Sequence, residues 1–230
     1  MSSTNPFESG AVLLLNKPYD WTSFDVVRKV RNAMKIKKVG HAGTLDPLAT
    51  GLLILCTGKF TKRINEYMAR EKEYTGTIIL GAATPTYDLE SHPVPVGDIS
   101  QISVDNLLTT AASFTGEIDQ VPPIHSAVKV EGRRVYELAR KGEEVVLQPR
   151  KVTISTFEIA EIALPEVHFR VVCSTGTYIR SLANDFGARL GCGGYLSSLC
   201  RTRIGEFELK DAMEVDEAIR QIKDTLDQKG

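Results

Sequence analysis

Apolar residues in this chain fall into short runs, some with a period near two and others near 3.6. Val12-Leu13-Leu14-Leu15 predicts a short strand, with Asn16-Lys17-Pro18-Tyr19-Asp20 as the turn after it. Thr22 or Ser23 then caps a helix whose apolar stripe is Phe24, Val27, Val30 and Met34. Leu52–Cys56 is a continuous apolar run, the pattern of a buried strand. A helix is expected over Lys59–Ala69, a strand over Tyr74–Leu80, and a loop able to cover a cleft over Gly81–Val96. Further on, a helix is predicted near Val104–Ser113 and another over Arg133–Lys141, ended by Gly142. Glu144–Ile162 reads as one long or two short strands with a break near Pro149. Val167, Phe169, Val171 and Cys173 alternate with His168, Arg170, Val172 and Ser174, as in a half-buried strand. Ser174-Thr175-Gly176-Thr177 starts a helix with the stripe Ile179, Leu182, Phe186 and Leu190, and a strand follows over Tyr195–Ile204. Residues 212–226, with Met213, Ala218, Ile222 and Leu226 roughly in phase, predict a closing amphipathic helix. Strands mixed irregularly with helices indicate an α+β fold with a largely antiparallel sheet. No repeat or low-complexity linker divides the 230 residues, so one domain is expected, with residues 8–205 as its core and 206–230 closing it.

Composition changes this picture only through its distribution. With 42% hydrophobic and 25% charged residues the chain has the balance of a globular protein. No apolar run reaches the ~20 residues that span a bilayer, and the polar start lacks a signal peptide's basic and apolar regions. A cytoplasmic location without membrane attachment is expected. Cys56, Cys173, Cys192 and Cys200 form no Cys-x-x-Cys pair and have no His at ligand spacing, so neither a disulfide framework nor a metal site is expected. The net charge of −1 hides an asymmetry: residues 1–72 carry 12 Lys/Arg against 6 Asp/Glu, and residues 206–230 carry 4 against 8. A basic amino-terminal third suits an anionic partner, with Arg28, Lys29, Arg31, Lys35, Lys37 and Lys38 as candidate phosphate contacts.

Chemistry concentrates in Gly40-His41-Ala42-Gly43-Thr44-Leu45-Asp46-Pro47-Leu48-Ala49-Thr50-Gly51. Gly43 and Gly51 permit positive φ or close approach, and Pro47 biases Asp46 to extended backbone. A carboxylate on a stiffened loop, between a basic helix and a buried strand, has the form of a nucleophile or base; an isolated Asp-Pro pair would merely close a turn. Gly58-Lys59 hints at a phosphate loop, but Leu53 and Phe60 stand where that motif requires Gly and Ser/Thr, which excludes a nucleoside-triphosphate site.

The ungapped stretch from Gly40 to Leu53 resembles the signature of the TruB family of tRNA pseudouridine-55 synthases. Asn16-Lys17-Pro18, Lys72-Glu73-Tyr74, Gln120-Val121-Pro122-Pro123, Tyr136–Gly142, Cys173–Leu182 and Arg201–Gly205 resemble further family motifs, in the family's order. That resemblance implies a pseudouridine-synthase fold, a mainly antiparallel mixed sheet with helices at its flanks and a central RNA-binding cleft. It implies that Asp46 is the nucleophile, Tyr74 the aromatic over the target base and Arg180 the partner of the Asp46 carboxylate. His41, Tyr178 and Leu199, with Gly43, Thr44, Lys17, Lys62 and Asp88, are implied to contact substrate. Two positions depart from the pattern: Asp20 replaces a usual Gly and His125 a usual Tyr. The carboxy-terminal PUA domain that many relatives carry is not expected after the last motif.

The implied reaction is isomerisation of the T-loop uridine at position 55 of tRNA, after that base has left its stack. Attack by Asp46 at C1′ or addition to C6 would each serve, and neither involves redox chemistry or hydrolysis, so no cofactor is expected. The partner is the tRNA T-arm, bound by a monomer. Two other classes compete: an RNA-binding protein or tRNA chaperone without catalysis, and a carboxylate nucleosidase. The second would require another carboxylate near Asp46, which the motif does not offer.

Overall fold

A computed structural model describes residues 5–124, 126, 129–130, 133–134 and 147–228. The chain forms two compact units, one of Met1–Tyr74 with Leu199–Gly230 and one of Thr75–Ser198. It passes between them inside the strands Lys72–Leu80 and Gly194–Ile204.

In the first unit the strand Thr50–Thr57 organises the sheet. Val12–Lys17 pairs with it antiparallel, Leu15 opposite Leu53, and Val39–His41 pairs antiparallel over its later half. Cys200 and Arg201 run parallel beside Thr50 and Gly51. Side chains from both faces of this strand are buried, which is why its sequence does not alternate. Leu53 and Leu55 pack with Leu15, Val26, Val27, Val30, Met34, Val215, Ala218 and Ile222, while Leu52, Ile54 and Cys56 meet Ala42, Tyr67 and Ile204 on the other side. Each fully buried aliphatic side chain here contributes about 1.5–3 kcal/mol.

The helix Ser23–Met34 begins with a reciprocal capping box between Thr22 and Asp25. Its buried stripe contains Val26, not Phe24, which is 57% exposed. The Lys59–Ala69 helix is realised in two pieces, a 3₁₀ segment Gly58–Arg63 and an α-helix Ile64–Met68, because Arg63 at φ −92°, ψ 0° interrupts regular geometry. The closing helix is Val215–Asp227. Met213 instead pairs in parallel with Leu15 and so leaves the helical stripe.

In the second unit the strands Lys72–Leu80, Glu166–Cys173, Arg150–Ala163 and Gly116–Gln120 lie in that order, the last three antiparallel. The helices Val104–Ala112 and Ile179–Arg189 carry the remaining core, where Phe157 sits 5.4–6.3 Å from the rings of Phe114, Phe169 and Phe186. The expected Gly81–Val96 loop contains a two-stranded pairing of Ala82–Ala83 with Val94–Pro95. Arg133–Arg134 is a strand paired with Lys129–Val130, so no helix begins at Arg133; the rest of that predicted helix lies outside the described residues, as does His125. The mixed, mostly antiparallel sheet with helices is the α+β class expected.

Gly51 is the tightest point where the Asp46 loop enters the sheet. It adopts φ +101°, and a Cβ there would lie 2.4 Å from the Arg201 carbonyl oxygen and 2.7 Å from its nitrogen. Gly51→Ala is expected to destabilise the protein by about 3 kcal/mol, lowering Tm by roughly 6–12 °C. Calorimetry checks this, and a Tm within about 2 °C of the parent would show that the pairing yields freely.

Candidate active site

The Asp46 loop is built from local pins. Ala42 N–H donates to the Ile54 carbonyl at 2.9 Å, holding the start of the loop to the central strand. Ser23 Oγ, at the first turn of its helix, accepts from Leu45 N–H at 2.9 Å and donates to the Leu45 carbonyl at 3.2 Å. Ala49 N–H closes a turn onto the Asp46 carbonyl at 3.1 Å.

Two buried cations hold the rest. Lys17, with no exposed surface, donates from Nζ to the carbonyls of Pro18 (3.0 Å), Trp21 (2.5 Å) and Pro47 (3.0 Å). Arg201, 1% exposed, donates from Nε to Leu52 O (2.8 Å), from Nη2 to Gly43 O (3.1 Å) and from Nη1 to Thr44 O (3.4 Å). The ammonium therefore ties the peptide after Asp46 to the turn after the first strand. The guanidinium ties the peptides ahead of Asp46 to the central strand.

These charges act on one another. Burial pushes the Lys17 pKa down to about 8; the Asp46 carboxylate opposes the fall, and the Arg201 charge reinforces it. His41 lies below its ordinary value, first through burial and then through Arg201, with a bond to the Gly43 backbone opposing. The imidazole is thus neutral at pH 7, and its Nδ1 is buried without a hydrogen-bond partner among the described residues. Lys17, His41, Gly43, Thr44 and Asp46 form one cluster. Leu199, also of this unit, is buried, and its carbonyl accepts from Thr50 Oγ1 at 3.4 Å. Tyr74 is 8% exposed at the unit's last residue. Lys62 is exposed on the 3₁₀ segment.

The second unit holds a buried ion pair. Arg180 Nε lies 3.6 Å from Asp88 Oδ2, and Nη1 donates to the Thr86 carbonyl at 3.2 Å. Thr84 Oγ1 and Thr86 Oγ1 both donate to the Asp88 carbonyl, at 2.7 and 3.2 Å. Tyr178 is the N-cap residue of the helix that carries Arg180. Its N–H donates to Gln120 Oε1 (2.8 Å), and its carbonyl accepts from Gln120 Nε2 (3.0 Å).

Arg201, Ser23 and Gln120 were not among the expected site residues. Arg201 and Gln120 lie inside recognised motifs, but only their burial reveals what they hold. Among the described residues no group of three His, Cys, Asp or Glu side chains could hold a metal ion. The first unit presents one carboxylate on a loop braced by two cations; the second holds a buried arginine–aspartate pair.

Residues 31–179 match the profile of the TruB family pseudouridylate synthase N-terminal domain. The chain is 51% identical over 216 residues to tRNA pseudouridine synthase B of Flavobacterium johnsoniae, covering 90% of this chain and 93% of that one. It is 50% identical to the proteins of that name from Parabacteroides distasonis (96% and 95% covered) and Chlorobaculum tepidum (94% and 92%). Among solved structures, the fold resembles those of an archaeal box H/ACA sRNP Nop10-Cbf5 complex, at TM-score 0.70 and 27% identity, and of a Cbf5-Nop10-Gar1 complex, at 0.71 and 30%. Each match takes in 94% of this chain but only 54% and 60% of the solved chains. With half its residues shared along nearly the full length of such relatives, and the family profile spanning the Asp46 loop, the chain belongs to the TruB family of pseudouridylate synthases.

Proposed function

We propose that the chain isomerises uridine 55 in the T-loop of tRNA to pseudouridine, with Asp46 as nucleophile once the base has flipped out. The observation that carries this reading is the Asp46 loop, braced by Lys17 and Arg201, in a chain half identical to proteins named tRNA pseudouridine synthase B. The reaction breaks N1–C1′, turns the uracil and forms C5–C1′, while a proton leaves C5 and one is gained at N1. Asp46 attacks C1′ or C6 as the carboxylate, and Arg180, read as its partner, favours the charged form. The Asp88 pairing keeps the Arg180 side chain in one rotamer. Tyr74 offers a π surface to the flipped base. A neutral His41, with Gly43, Thr44, Tyr178, Leu199 and Lys62, contacts the RNA. Lys17 serves binding through the loop it holds. In this reading residues 1–230 act as one catalytic domain, a cytoplasmic monomer whose partner is the tRNA T-arm. No redox or hydrolytic step arises, so the chemistry calls for no cofactor. No helix among the described residues is long and apolar enough to cross a membrane.

Three outcomes test this. Tritium release from C5-labelled uridine in an unmodified tRNA transcript should fall by about a thousandfold or more in Asp46→Asn, with tRNA affinity held within about tenfold; an active Asp46→Asn enzyme removes the nucleophile assignment. Lys37 and Lys38 are exposed beyond the basic helix, and reversing both to Glu should weaken tRNA binding and flatten its log–log salt slope by about 1–2. An unchanged slope would mean that they face bulk solvent.

The third concerns charge. In selectively labelled protein the Lys17 ammonium should titrate near 8 instead of 10.5, and lower still in Asp46→Asn, because the carboxylate raises it. The folded value lies below the unfolded one, so burial of this cation costs stability in full below pH 8, and the penalty fades as pH rises towards 10.5. A midpoint near 10.5, unmoved by Asp46→Asn, would break the electrostatic link.

A further inference from the structure

Arg150 and Gln120 have no part in the reaction as set out above, yet both converge on Tyr178. They are direct cross-strand partners, Arg150 on Arg150–Ala163 opposite Gln120 on Gly116–Gln120. Gln120, 1% exposed, uses both ends of its amide on one residue, accepting from Tyr178 N–H and donating to Tyr178 C=O. A side chain that satisfies both main-chain groups of a helix N-cap fixes the backbone there in position and rotation. Arg150 meets the same residue from its ring side, with the guanidinium carbon 4.6 Å from the Tyr178 ring centroid. Its Nη2 donates to the Gly176 carbonyl, two residues before Tyr178.

Arg150 is held in an unusual way. Its Nε is buried with no hydrogen-bond partner among the described residues, and leaving such a donor unmade costs about 1–3 kcal/mol. An arginine chosen for stability alone would face an acid or turn that donor to water. Stacking on an aromatic face is the interaction gained here, and planar guanidinium suits it better than ammonium.

We propose that the Gln120–Arg150 cross-strand pair is a clamp that positions Tyr178, Gln120 setting its main chain and Arg150 setting its ring, so that the aromatic stands ready for the flipped uridine. The proposal rests on the reading of Tyr178 as a substrate contact. Neither clamp residue touches the reacting atoms; both are positioning residues. Gly176, at φ +86°, brings its carbonyl under the guanidinium, so the turn before the helix belongs to the same device. The pair also fixes the start of the helix one residue before Arg180, which couples ring placement to the Arg180–Asp88 pair.

The test uses full-length protein with 3-fluorotyrosine incorporated, the Tyr178 resonance being assigned with Tyr178→Phe. Arg150→Met keeps the apolar stem and removes the stacked cation, Arg150→Lys restores charge without the plane, and Gln120→Glu keeps the acceptor while removing the donor. The Tyr178 fluorine resonance is expected to shift in all three. Single-turnover rates on a tRNA transcript should fall about tenfold to a hundredfold in Arg150→Met, with tRNA Kd changed less than about threefold and partial recovery in Arg150→Lys. An unmoved resonance in Arg150→Met, or a shifted resonance with a parental rate where Tyr178→Ala is slow, overturns the clamp. Should Gln120→Glu fail to fold, the Arg150 variants decide alone. Tyr178→Ala separates the two readings: a parental rate in that variant removes Tyr178 from the site, whereas the fluorine shift still reports whether the clamp holds its ring.

Discussion

Two buried cations bound to carbonyl oxygens set the shape of the Asp46 loop, and the rest of the first unit is arranged so that they can reach it. Burying an ammonium or a guanidinium is costly unless its donors are met. Here the partners of Lys17 and Arg201 are peptide dipoles, those of Pro47, Gly43 and Thr44 coming from the loop itself. A glycine- and proline-containing segment has few side chains with which to pack, so its conformation is prescribed through its backbone. The arrangement has an electrostatic consequence. The charges that fold the loop also place positive potential around the one carboxylate it carries, since Asp46 and Arg201 both act on the Lys17 equilibrium.

The second unit solves a similar problem with a carboxylate. Arg180 is buried against Asp88, whose own backbone is pinned by Thr84 and Thr86 and aligned in parallel with Leu196. Tyr87, immediately before Asp88, adopts φ +63°, a left-handed conformation that a bulky residue holds only when its surroundings enforce it. Strain at residue 87 and hydrogen bonds at residues 84 and 86 therefore act together to present one carboxylate to one arginine. A buried pair of this kind is weak evidence for stability; with the bond from Nη1 to the Thr86 carbonyl, it holds the guanidinium at two points. A pair that must hold a guanidinium in a single rotamer needs that property.

Much of this was legible in the residues, and the parts that were not share a cause. The Leu52–Cys56 run announced a buried strand, and Thr22 or Ser23 announced a helix start, because each signal is local. Phe24 was read into the helix stripe because it stands at helical spacing from Val27. The sheet instead lies under Val26, and only the packing angle decides between them. Met213 has the right phase for the closing helix but pairs with Leu15, a partner almost two hundred positions away. Arg201 stands in a stretch, Arg201–Gly205, that resembles a family motif. Nothing in the residues around it tells that strand pairing beside Thr50 and Gly51 carries it under the Asp46 loop. Asp46 was legible as the candidate nucleophile because motif and chemistry coincide in one short stretch. Its supports were not, because they are contributed from distant strands.

Asp20 shows how a departure from the family's pattern fits the same logic. Its φ of +61° is left-handed, the region where glycine is at ease and where Asp and Asn are the next most tolerated residues. A glycine would meet that backbone requirement without strain. The turn it serves brings the carbonyls of Pro18 and Trp21 onto one ammonium, that of Lys17. An aspartate keeps that turn at some conformational cost and adds what glycine lacks, a carboxylate that raises the Lys17 pKa alongside Asp46 and Asp25. Burial of the ammonium is the largest influence on Lys17 and acts in the opposite direction, so each nearby acid helps keep three donors available to the three carbonyls. Aspartate at this position thus gives up the backbone ease that a glycine would have and supplies electrostatic support to the cation beneath the loop.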